Sequence, residues 1–240
     1  MSQIITVAAH KGGVGKTTIA YELAAALTGV LVDLDWDAGG ATRMWGIDPT
    51  ATARAPLLDA FERGPDGAPP RVRHRVGQPA LVPSHPDLSA SRIDPDLVAD
   101  CLVAWAAAVP EGRLVVDTHP GANPLTDGAI AAADLVVMPV LLGVRELAAL
   151  SQGLEELAGH RVLVVPTMVP SVPPRRMVDQ LAAITDGRCR VSPPISEHRW
   201  LRRRLRRAAV VRQVHPGVRV RRAADEFLTL AETITEVTGA

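Results

Sequence analysis

The sequence predicts an α/β fold in which a mostly parallel β-sheet is covered by helices on both faces. Unbroken Val and Leu runs recur along the 240-residue chain, and helical patterns separate them. Strands that are buried on both faces show such continuous apolar runs because no face points to water. Apolar residues make up 47% of the chain and charged residues 22%, which is typical of a globular protein and indicates a single domain over residues 1–240.

The predicted elements alternate in the order that a parallel sheet requires. The first strand is the apolar run at 4–9, and the first helix follows a glycine-rich loop at 18–27. Further strands are predicted at 30–34, 80–83, 113–117, 135–140 and 161–165. Further helices are predicted at 95–108, 124–132, 145–157, 174–184 and 223–237. Ligands of such sheets bind at the carboxyl ends of the strands, so we expect the functional residues there.

The loop after the first strand has the composition of a phosphate-binding loop. Residues 10–18 read His-Lys-Gly-Gly-Val-Gly-Lys-Thr-Thr and contain both lysines of the chain, whereas the other 24 basic residues are arginines. A strand, a glycine loop and a helix in succession point backbone N–H groups and a helix N-terminus at phosphate oxygens. The candidate nucleotide-binding residues are Lys11, Gly12, Gly13, Val14, Gly15, Lys16, Thr17 and Thr18.

Two side chains of this loop have distinct expected roles. Lys16 is predicted to reach the β- and γ-phosphates, because a compact ammonium on a flexible stem suits that position. The Thr17 hydroxyl is predicted to bind Mg²⁺. The sequence therefore predicts a nucleotide with β- and γ-phosphates and Mg²⁺ as ligands, and a glycine-rich turn without a ligand is the alternative.

Acidic residues follow two further strands. Asp33, Asp35 and Asp37 come after the second strand, and Asp117 ends the apolar run at 114–117. A carboxylate at the end of a buried strand is costly unless it meets a cation, and Mg²⁺ held through water is the natural partner of Asp117. For the cluster of Asp33, Asp35 and Asp37, the alternative is that these residues only cap a loop. His119 is either a catalytic base or a solvent-facing histidine.

These segments together resemble the ParA/MinD family of ATPases. The run Lys-Gly-Gly-Val-Gly-Lys-Thr-Thr at 11–18 resembles the deviant Walker A motif, and residues 114–121 resemble the Walker B pattern with His119 in place of a proline. Residues 33–42 are similar to the family pattern D-x-D-P-Q-G-x-A-T, with Trp36 and Asp37 in place of Pro and Gln. The resemblance covers most of the chain and is closest to small chromosomal-type, Soj-like partition ATPases.

The resemblance implies a P-loop ATPase of the deviant Walker A type. Lys11 is then the signature lysine that reaches the nucleotide of the partner subunit in a sandwich homodimer. Asp35 orients or activates the attacking water, a task that asks mainly for positioning. Lys11, Lys16 and Asp35 are thus the catalytic candidates, and Thr17, Asp33 and Asp117 are the candidates for the Mg²⁺ site, partly through water. Hydrolysis is expected to be weak alone and to be stimulated by a ParB-like partner.

A basic segment near the end of the chain is the candidate DNA-binding face. Ten arginines and no acidic residue lie within 198–222, whereas the net charge of the whole chain is zero. Spacings of three and four residues between 199 and 207 predict one stripe of a helix that contacts DNA phosphates without reading bases. The resemblance implies non-specific binding of double-stranded DNA by the ATP dimer. The candidate residues are Arg199, Arg202, Arg203, Arg206, Arg207, Arg219 and Arg222. The alternative is a solvated face whose arginines pair with acidic surface elsewhere.

Other members of the superfamily fit less well. The helix predicted at 223–237 carries four acidic residues and no Lys or Arg, so anionic lipid would repel it and no membrane partner is expected. No cysteine lies between Asp117 and Cys189, which argues against an iron–sulfur relative, and Tyr21 is the sole tyrosine, which argues against a tyrosine kinase. The expected location is the cytoplasm, in association with the nucleoid. A MinD-like positioning ATPase and a slow-hydrolysing, ATP-locked DNA-binding scaffold remain alternatives, and the sequence identifies neither cargo nor activating partner.

Overall fold

The computed structural model describes residues 2–37, 40–50, 56–201 and 207–239. Within these ranges, seven strands form one sheet in the order β3-β2-β4-β1-β5-β6-β7, and every neighbouring pair is parallel. The strands are β1 (Gln3–Val7), β2 (Val30–Asp33), β3 (Ala80–Val82), β4 (Arg113–Asp117), β5 (Leu135–Val140), β6 (Val162–Pro166) and β7 (Arg190–Val191).

Helices connect these strands and cover both faces of the sheet. They are α1 (Lys16–Ala26), α2 (Ala41–Trp45), α3 (Pro56–Arg63), α4 (Pro95–Ala108), α5 (Pro124–Ala131), α6 (Val144–Glu156), α7 (Arg175–Thr185) and α8 (Val218–Thr238). The α/β fold predicted from the sequence is confirmed. No helix in the described part of the chain combines the length and the apolar character that a membrane span needs.

The core is divided between the two faces of the sheet. On one face, Ile5 belongs to a buried cluster with Tyr21 of α1 and Phe227 of α8. On the other face, Ile4 belongs to a cluster with Trp105 of α4, and a further cluster joins β5 and β6 to α6 and α7. Burying a large apolar side chain stabilises the fold by about 1.5–3 kcal/mol, so the apolar side chains on both faces of the central strands contribute to stability.

The last helix differs from its prediction. α8 begins at Val218 rather than at 223, after Gly217 in an extended conformation, and its first turns therefore contain Arg219, Arg221 and Arg222. The prediction that this helix carries no basic residue is wrong. Its apolar periodicity starts only at Ala223 because the turns before it are mostly exposed and give no apolar pattern. Three arginines near the positive end of the helix dipole are unfavourable for helix stability, which indicates another use for them.

Gly128 allows α5 to pack closely against α4. A methyl group added at Gly128 would lie 2.6 Å from Val98 Cβ and in conflict with the Pro95 carbonyl oxygen. We expect Gly128→Ala to destabilise the protein, because overpacking costs about 1–3 kcal/mol and the gain in helix propensity of about 1 kcal/mol offsets only part of this. A thermal melt should show a Tm lower by about 2–4 °C for each net kcal/mol. Gly217→Ala, where the added methyl meets open space, is the control, and equal melting of both variants would contradict this packing argument.

Candidate nucleotide-binding site

The predicted site residues meet at the carboxyl ends of three neighbouring strands. Val7 of β1 and Asp33 of β2 are both in register with Asp117 of β4. The loop from 8 to 15 leaves β1 at this level and leads into α1. The sheet order therefore places the glycine loop beside the two strands that end in aspartates.

The glycine loop is shaped to receive an anion. Gly13 and Gly15 have φ values of 79° and 95°, a left-handed conformation that favours glycine. Gly15 is the N-cap of α1, and no side chain of the described residues caps this helix end. The first N–H groups of α1 are thus free to bind phosphate oxygens. The Thr167 hydroxyl, at the end of β6, donates a 2.9 Å hydrogen bond to the Val14 carbonyl and fixes the loop from below.

Lys16 is buried among carboxylates. Only 5% of the residue is exposed, and this burial lowers the pKa of its ammonium, whereas Asp117 and Asp35 raise it. A buried ammonium is retained in the charged form when anions surround it. The Lys16 ammonium can therefore balance the negative charge of the aspartates and of a bound phosphate.

Asp117 is the residue that most requires a cation. It is completely buried, and neither carboxylate oxygen makes a hydrogen bond with the described residues. Burial raises its pKa well above the usual value, the charge of Asp33 raises it further, and the nearby Thr17 hydroxyl opposes the shift. A divalent ion would remove the cost of this unpaired carboxylate. Asp117 and Thr17 thus fit Mg²⁺, as predicted for a nucleotide site.

Asp33 holds the following loop in place. Its Oδ2 accepts hydrogen bonds of 2.6 Å from both the backbone N–H and the hydroxyl of Thr42, and its Oδ1 accepts one of 3.1 Å from the Asp35 N–H. Burial raises the pKa of Asp33 to about 7, although the Thr42 hydrogen bonds oppose this shift. The Thr42 hydroxyl in turn accepts the Ser84 N–H at 2.8 Å. These bonds give Asp33 a positioning function, and its assignment as a Mg²⁺ ligand stays a prediction.

Asp35 lies on the loop that Asp33 fixes. Burial raises the pKa of its carboxyl group, and the charges of His119 and Lys16 lower it. Its Oδ1 accepts a 3.1 Å hydrogen bond from the Asp37 N–H. Asp35 is therefore a weak base in the electrostatic neighbourhood of the phosphate-binding lysine, which suits the orientation of a water molecule.

The structure brings together three residues that depart from the family patterns. The rings of Trp36 and His119 are stacked, with centroids 4.0 Å apart and planes inclined by 7°. Asp37 Oδ2 lies 3.2 Å from His119 Nε2. The sequence motifs presented these residues as separate substitutions in two loops, whereas in the fold they form one contact between the loops after β2 and β4.

Lys11 and His10 contact α6. Lys11 Nζ lies 3.2 Å from Glu146 Oε1, and its side chain is 41% exposed. His10 Nε2 lies 3.1 Å from Glu156 Oε2. The start of the glycine loop is thereby attached to α6 in the isolated chain. A sandwich dimer in which Lys11 reaches the nucleotide of the partner subunit requires that the Glu146 contact be released.

A cleft on the other side of the glycine loop was missed by the sequence reasoning. It opens beside Gly15 and Thr18. Thr167 and Met168, which follow β6, form its far wall together with residues 195–199, and Phe227 of α8 lies at the back. Its position suits the base of a nucleotide whose phosphates lie in the loop. The residues that follow β6 could have been expected near the site, because ligands bind at the carboxyl ends of the strands. No sequence motif marks residues 195–199.

The described candidate arginines have different surroundings. Arg199 lies in a turn beside Glu197 and is 86% exposed in its side chain. Arg207 lies in irregular chain and donates a 3.1 Å hydrogen bond to the Gly46 carbonyl. The helical stripe predicted for 199–207 is therefore not helical at these two ends. Arg202, Arg203 and Arg206 lie outside the described residues.

The remaining candidates lie at the start of α8. The Arg219 guanidinium is 5.6 Å from the centre of the Trp200 ring, and Arg222 lies 3.7 Å from Glu226. Glu226 also accepts the Ser196 N–H at 2.9 Å. The sequence analysis left open that these arginines pair with acidic residues instead of binding DNA. Arg199 and Arg222 are paired in this way, each with a glutamate close by in the chain.

Helix α1 is attached to the chain that follows the arginine segment. The Tyr21 hydroxyl donates a 2.7 Å hydrogen bond to the Arg207 carbonyl. The buried carboxylate of Glu22 accepts the Val210 N–H at 2.8 Å. Residues 207–210 are therefore held by the same helix whose N-terminus faces the phosphate site.

Comparison with known proteins agrees with this geometry. The CobQ/CobB/MinD/ParA nucleotide binding domain matches residues 5–203. The chromosome-partitioning ATPase Soj of Thermus thermophilus is 32% identical over 192 residues, which cover 77% of this chain and 70% of that protein. The chromosome partitioning protein ParA of Caulobacter vibrioides is 31% identical over 150 residues, 58% of this chain and 55% of the relative.

Solved structures show the same fold at lower identity. Apo McdA of Cyanothece superposes with a TM-score of 0.76 at 18% identity, over 98% of both chains. An ATP complex of a variant of that protein gives a TM-score of 0.71 at 20% identity, over 99% of this chain and 96% of the other. The match of one family over most of the sequence, on the sheet that carries the glycine loop and its aspartates, shows that the chain belongs to the CobQ/CobB/MinD/ParA family of nucleotide-binding domains.

Proposed function

We propose that this chain is a single-domain, ATP-dependent dimerising ATPase of DNA partition, cytoplasmic and associated with the nucleoid. The observation that carries the proposal is the buried Asp117, whose carboxylate makes no hydrogen bond of 3.5 Å or less within the described residues, beside the buried Lys16 and the N-terminus of α1, which no described side chain caps. At one place, the Asp117 carboxylate can bind a cation, the Lys16 ammonium can balance phosphate charge, and the N–H groups of α1 can bind phosphate oxygens. The partition relatives Soj and ParA support the biological assignment.

The chain's own residues supply positioning and charge for hydrolysis. Lys16 and the N–H groups of the glycine loop bind the β- and γ-phosphates, and the Met168 and 195–199 cleft accepts the base. Thr17 and Asp117 would hold Mg²⁺, partly through water, and the ion would neutralise charge on the phosphates. Asp35 orients the attacking water, in a loop that Asp33 and Thr42 fix. Such positioning accounts for most of the catalysis of phosphoryl transfer.

Dimerisation links the nucleotide to DNA in this proposal. Lys11 leaves Glu146 and contacts the nucleotide of the partner subunit, which joins two basic segments into one larger surface. The arginines of 198–222 then bind DNA phosphates without sequence preference, and a ParB-like partner stimulates hydrolysis and release. The segment follows directly on the wall of the base cleft, which supports a dependence of DNA affinity on the nucleotide.

A second candidate function is a positioning ATPase that acts on a membrane or protein cargo, or an ATP-locked DNA-binding scaffold that hydrolyses slowly. The positioning ATPase is favoured by the contacts of Arg199 with Glu197 and of Arg222 with Glu226, because arginines that are paired within the chain contribute less to DNA binding. Trp36 and Asp37, in place of the family's Pro and Gln, favour the slow scaffold in particular.

DNA binding by charge-reversed variants tests the proposal. We expect the parent protein to bind a non-specific duplex only with ATP, and more weakly at higher salt because binding releases counterions. Arg203→Glu/Arg206→Glu should abolish this binding and leave ATP-dependent dimerisation intact. The matched control is Arg175→Glu/Arg176→Glu, which makes the same charge change on exposed residues at the start of α7. Duplex binding is measured with ATP, with ADP and without nucleotide at two salt concentrations, and dimerisation by light scattering.

Three results would contradict this function. Absence of DNA binding in every nucleotide state favours the positioning ATPase that acts on a membrane or protein cargo. Equal loss of binding in the control pair means that the total charge, not the 198–222 face, attracts DNA. Loss of both DNA binding and dimerisation in Arg203→Glu/Arg206→Glu means that the substituted residues serve the fold or the dimer.

A further inference from the structure

We infer that Asp35, Asp37 and His119 form a binding site for a transition-metal dication of the Zn²⁺, Co²⁺ or Mn²⁺ class, next to the phosphate site. One ligand atom from each residue lies within 4.8 Å of the other two. This site differs from the Mg²⁺ site expected at Thr17 and Asp117, because it contains a histidine nitrogen. The binding site itself does not depend on the proposed partition function, whereas its effect on hydrolysis rests on the role proposed for Asp35.

The separation of the ligand atoms suits a small ion. His119 Nε2 and Asp37 Oδ2 are 3.2 Å apart. Metal–ligand distances of about 2.0–2.2 Å in a tetrahedral zinc site place neighbouring ligand atoms about 3.3–3.6 Å apart. The His119–Asp37 pair is therefore spaced close to what two ligands of one ion require, and the Asp35 ligand atom lies within 4.8 Å of both.

The orientation of the His119 ring supplies independent support. Its Nδ1 lies 2.8 Å from the Pro120 carbonyl oxygen, which accepts hydrogen bonds and does not donate them. Nδ1 therefore carries a proton, and in the neutral tautomer Nε2 presents its lone pair to the Asp37 carboxylate. In that tautomer a dication between the two acceptors removes their repulsion, whereas in the protonated ring Nε2–H donates to Asp37. A histidine that donates Nδ1–H to a carbonyl and offers Nε2 to the metal is the usual arrangement of metal-binding histidines.

The surroundings hold the ring and are rich in carboxylates. Trp36 stacks on the imidazole with centroids 4.0 Å apart, so the ring is held in the orientation that presents Nε2. Asp117 is buried without a hydrogen-bond partner among the described residues, and its charge interacts with that of Asp35. The Lys16 ammonium interacts electrostatically with both aspartates. A second cation therefore lowers the electrostatic energy of the whole region.

The ligand types decide which metal fits. One imidazole nitrogen and two carboxylate oxygens favour first-row transition metals, whereas Mg²⁺ prefers oxygen ligands alone. An ion bound here would occupy Asp35, the residue proposed to orient the attacking water. The site would then act as a brake on ATP hydrolysis that responds to transition metal.

Cobalt binding to the nucleotide-free full chain tests the inference. Co²⁺ is titrated at about pH 8, above the usual histidine pKa of about 6.5, in the presence of excess Mg²⁺, with visible absorption and calorimetry as readouts. We expect one Co²⁺ per chain, displaced by Zn²⁺, and at least about tenfold weaker binding in His119→Ala and in Asp37→Ala. His160→Ala, an exposed histidine in the turn after α6, is the matched control and should bind as the parent does. Circular dichroism confirms that each variant is folded.

The outcomes separate this inference from the proposed function. Parent-like Co²⁺ affinity in His119→Ala, or displacement of Co²⁺ by Mg²⁺ at equal concentrations, would overturn the site. An equal loss in His160→Ala would show non-specific binding to surface histidines and would also overturn it. Because the titration contains no ATP and no DNA, a failure of the partition proposal would leave its result unchanged.

Discussion

Lys16→Ala is expected to abolish ATP binding. Lys16 is 5% exposed, and the charges that stabilise its ammonium are those of Asp117 and Asp35. Its removal takes away a charged hydrogen bond to phosphate, worth about 1.5–3 kcal/mol, and leaves the buried aspartates to repel the incoming phosphates. A loss of about 3 kcal/mol corresponds to about a hundredfold in Kd. Calorimetric titration with ATP and Mg²⁺ measures this directly.

Lys11→Ala is the matched control for that experiment. It removes the same charge from the same loop, but Lys11 is 41% exposed and contacts Glu146 rather than the buried aspartates. We expect this variant to bind ATP like the parent and to fail in ATP-dependent dimerisation. A Lys16→Ala protein that binds ATP within a few-fold of the parent would show that the glycine loop is not the phosphate site.

Asp35→Ala is expected to retain ATP binding and to lose hydrolysis. The Asp35 carboxylate lies close enough to Lys16 for their charges to interact, and its loop is fixed by Asp33. Removing a group that positions or activates the attacking water reduces the rate by about 10²–10⁴-fold. The ATP-bound dimer should therefore accumulate on DNA. Phosphate release at saturating ATP and the lifetime of the DNA complex are the two measurements.

Asp48→Ala provides the control for this prediction. Asp48 is an exposed aspartate that binds the hydroxyl and N–H of Thr50, and it lies beyond α2 from the site. Hydrolysis by this variant should match the parent. Hydrolysis by Asp35→Ala at the parent rate would refute the assignment of Asp35, and loss of ATP binding in Asp35→Ala would assign it to the binding site instead.

Much of the fold and of the phosphate site could be predicted because each depends on local sequence. The buried parallel strands appear as continuous apolar runs, and the predicted β4 and β5 have the observed bounds, Arg113–Asp117 and Leu135–Val140. The glycine loop is recognisable because backbone geometry and phosphate binding require particular residues at short spacing. Asp117 could be identified because a charge at the end of a buried strand has few other uses.

The rest depends on contacts between distant segments. The stacking of Trp36 on His119 joins two loops that are more than eighty residues apart in the sequence, and each residue replaces a motif residue without indicating that the two meet. The base cleft combines Met168, residues 195–199 and Phe227, which only the packing of α8 brings together. The start of α8 was placed too late because its exposed arginines show no apolar period. In each case the missing information was tertiary and not local.

The bonds from Tyr21 and Glu22 to residues 207–210 have a mechanical consequence. α1 carries the phosphate site at its N-terminus and is hydrogen-bonded along its side to residues 207–210. Leu201, which precedes residues 202–206, lines the cleft beside Gly15 and Thr18. A nucleotide with its phosphates in the glycine loop and its base in this cleft would therefore contact the two structural elements that flank residues 202–206.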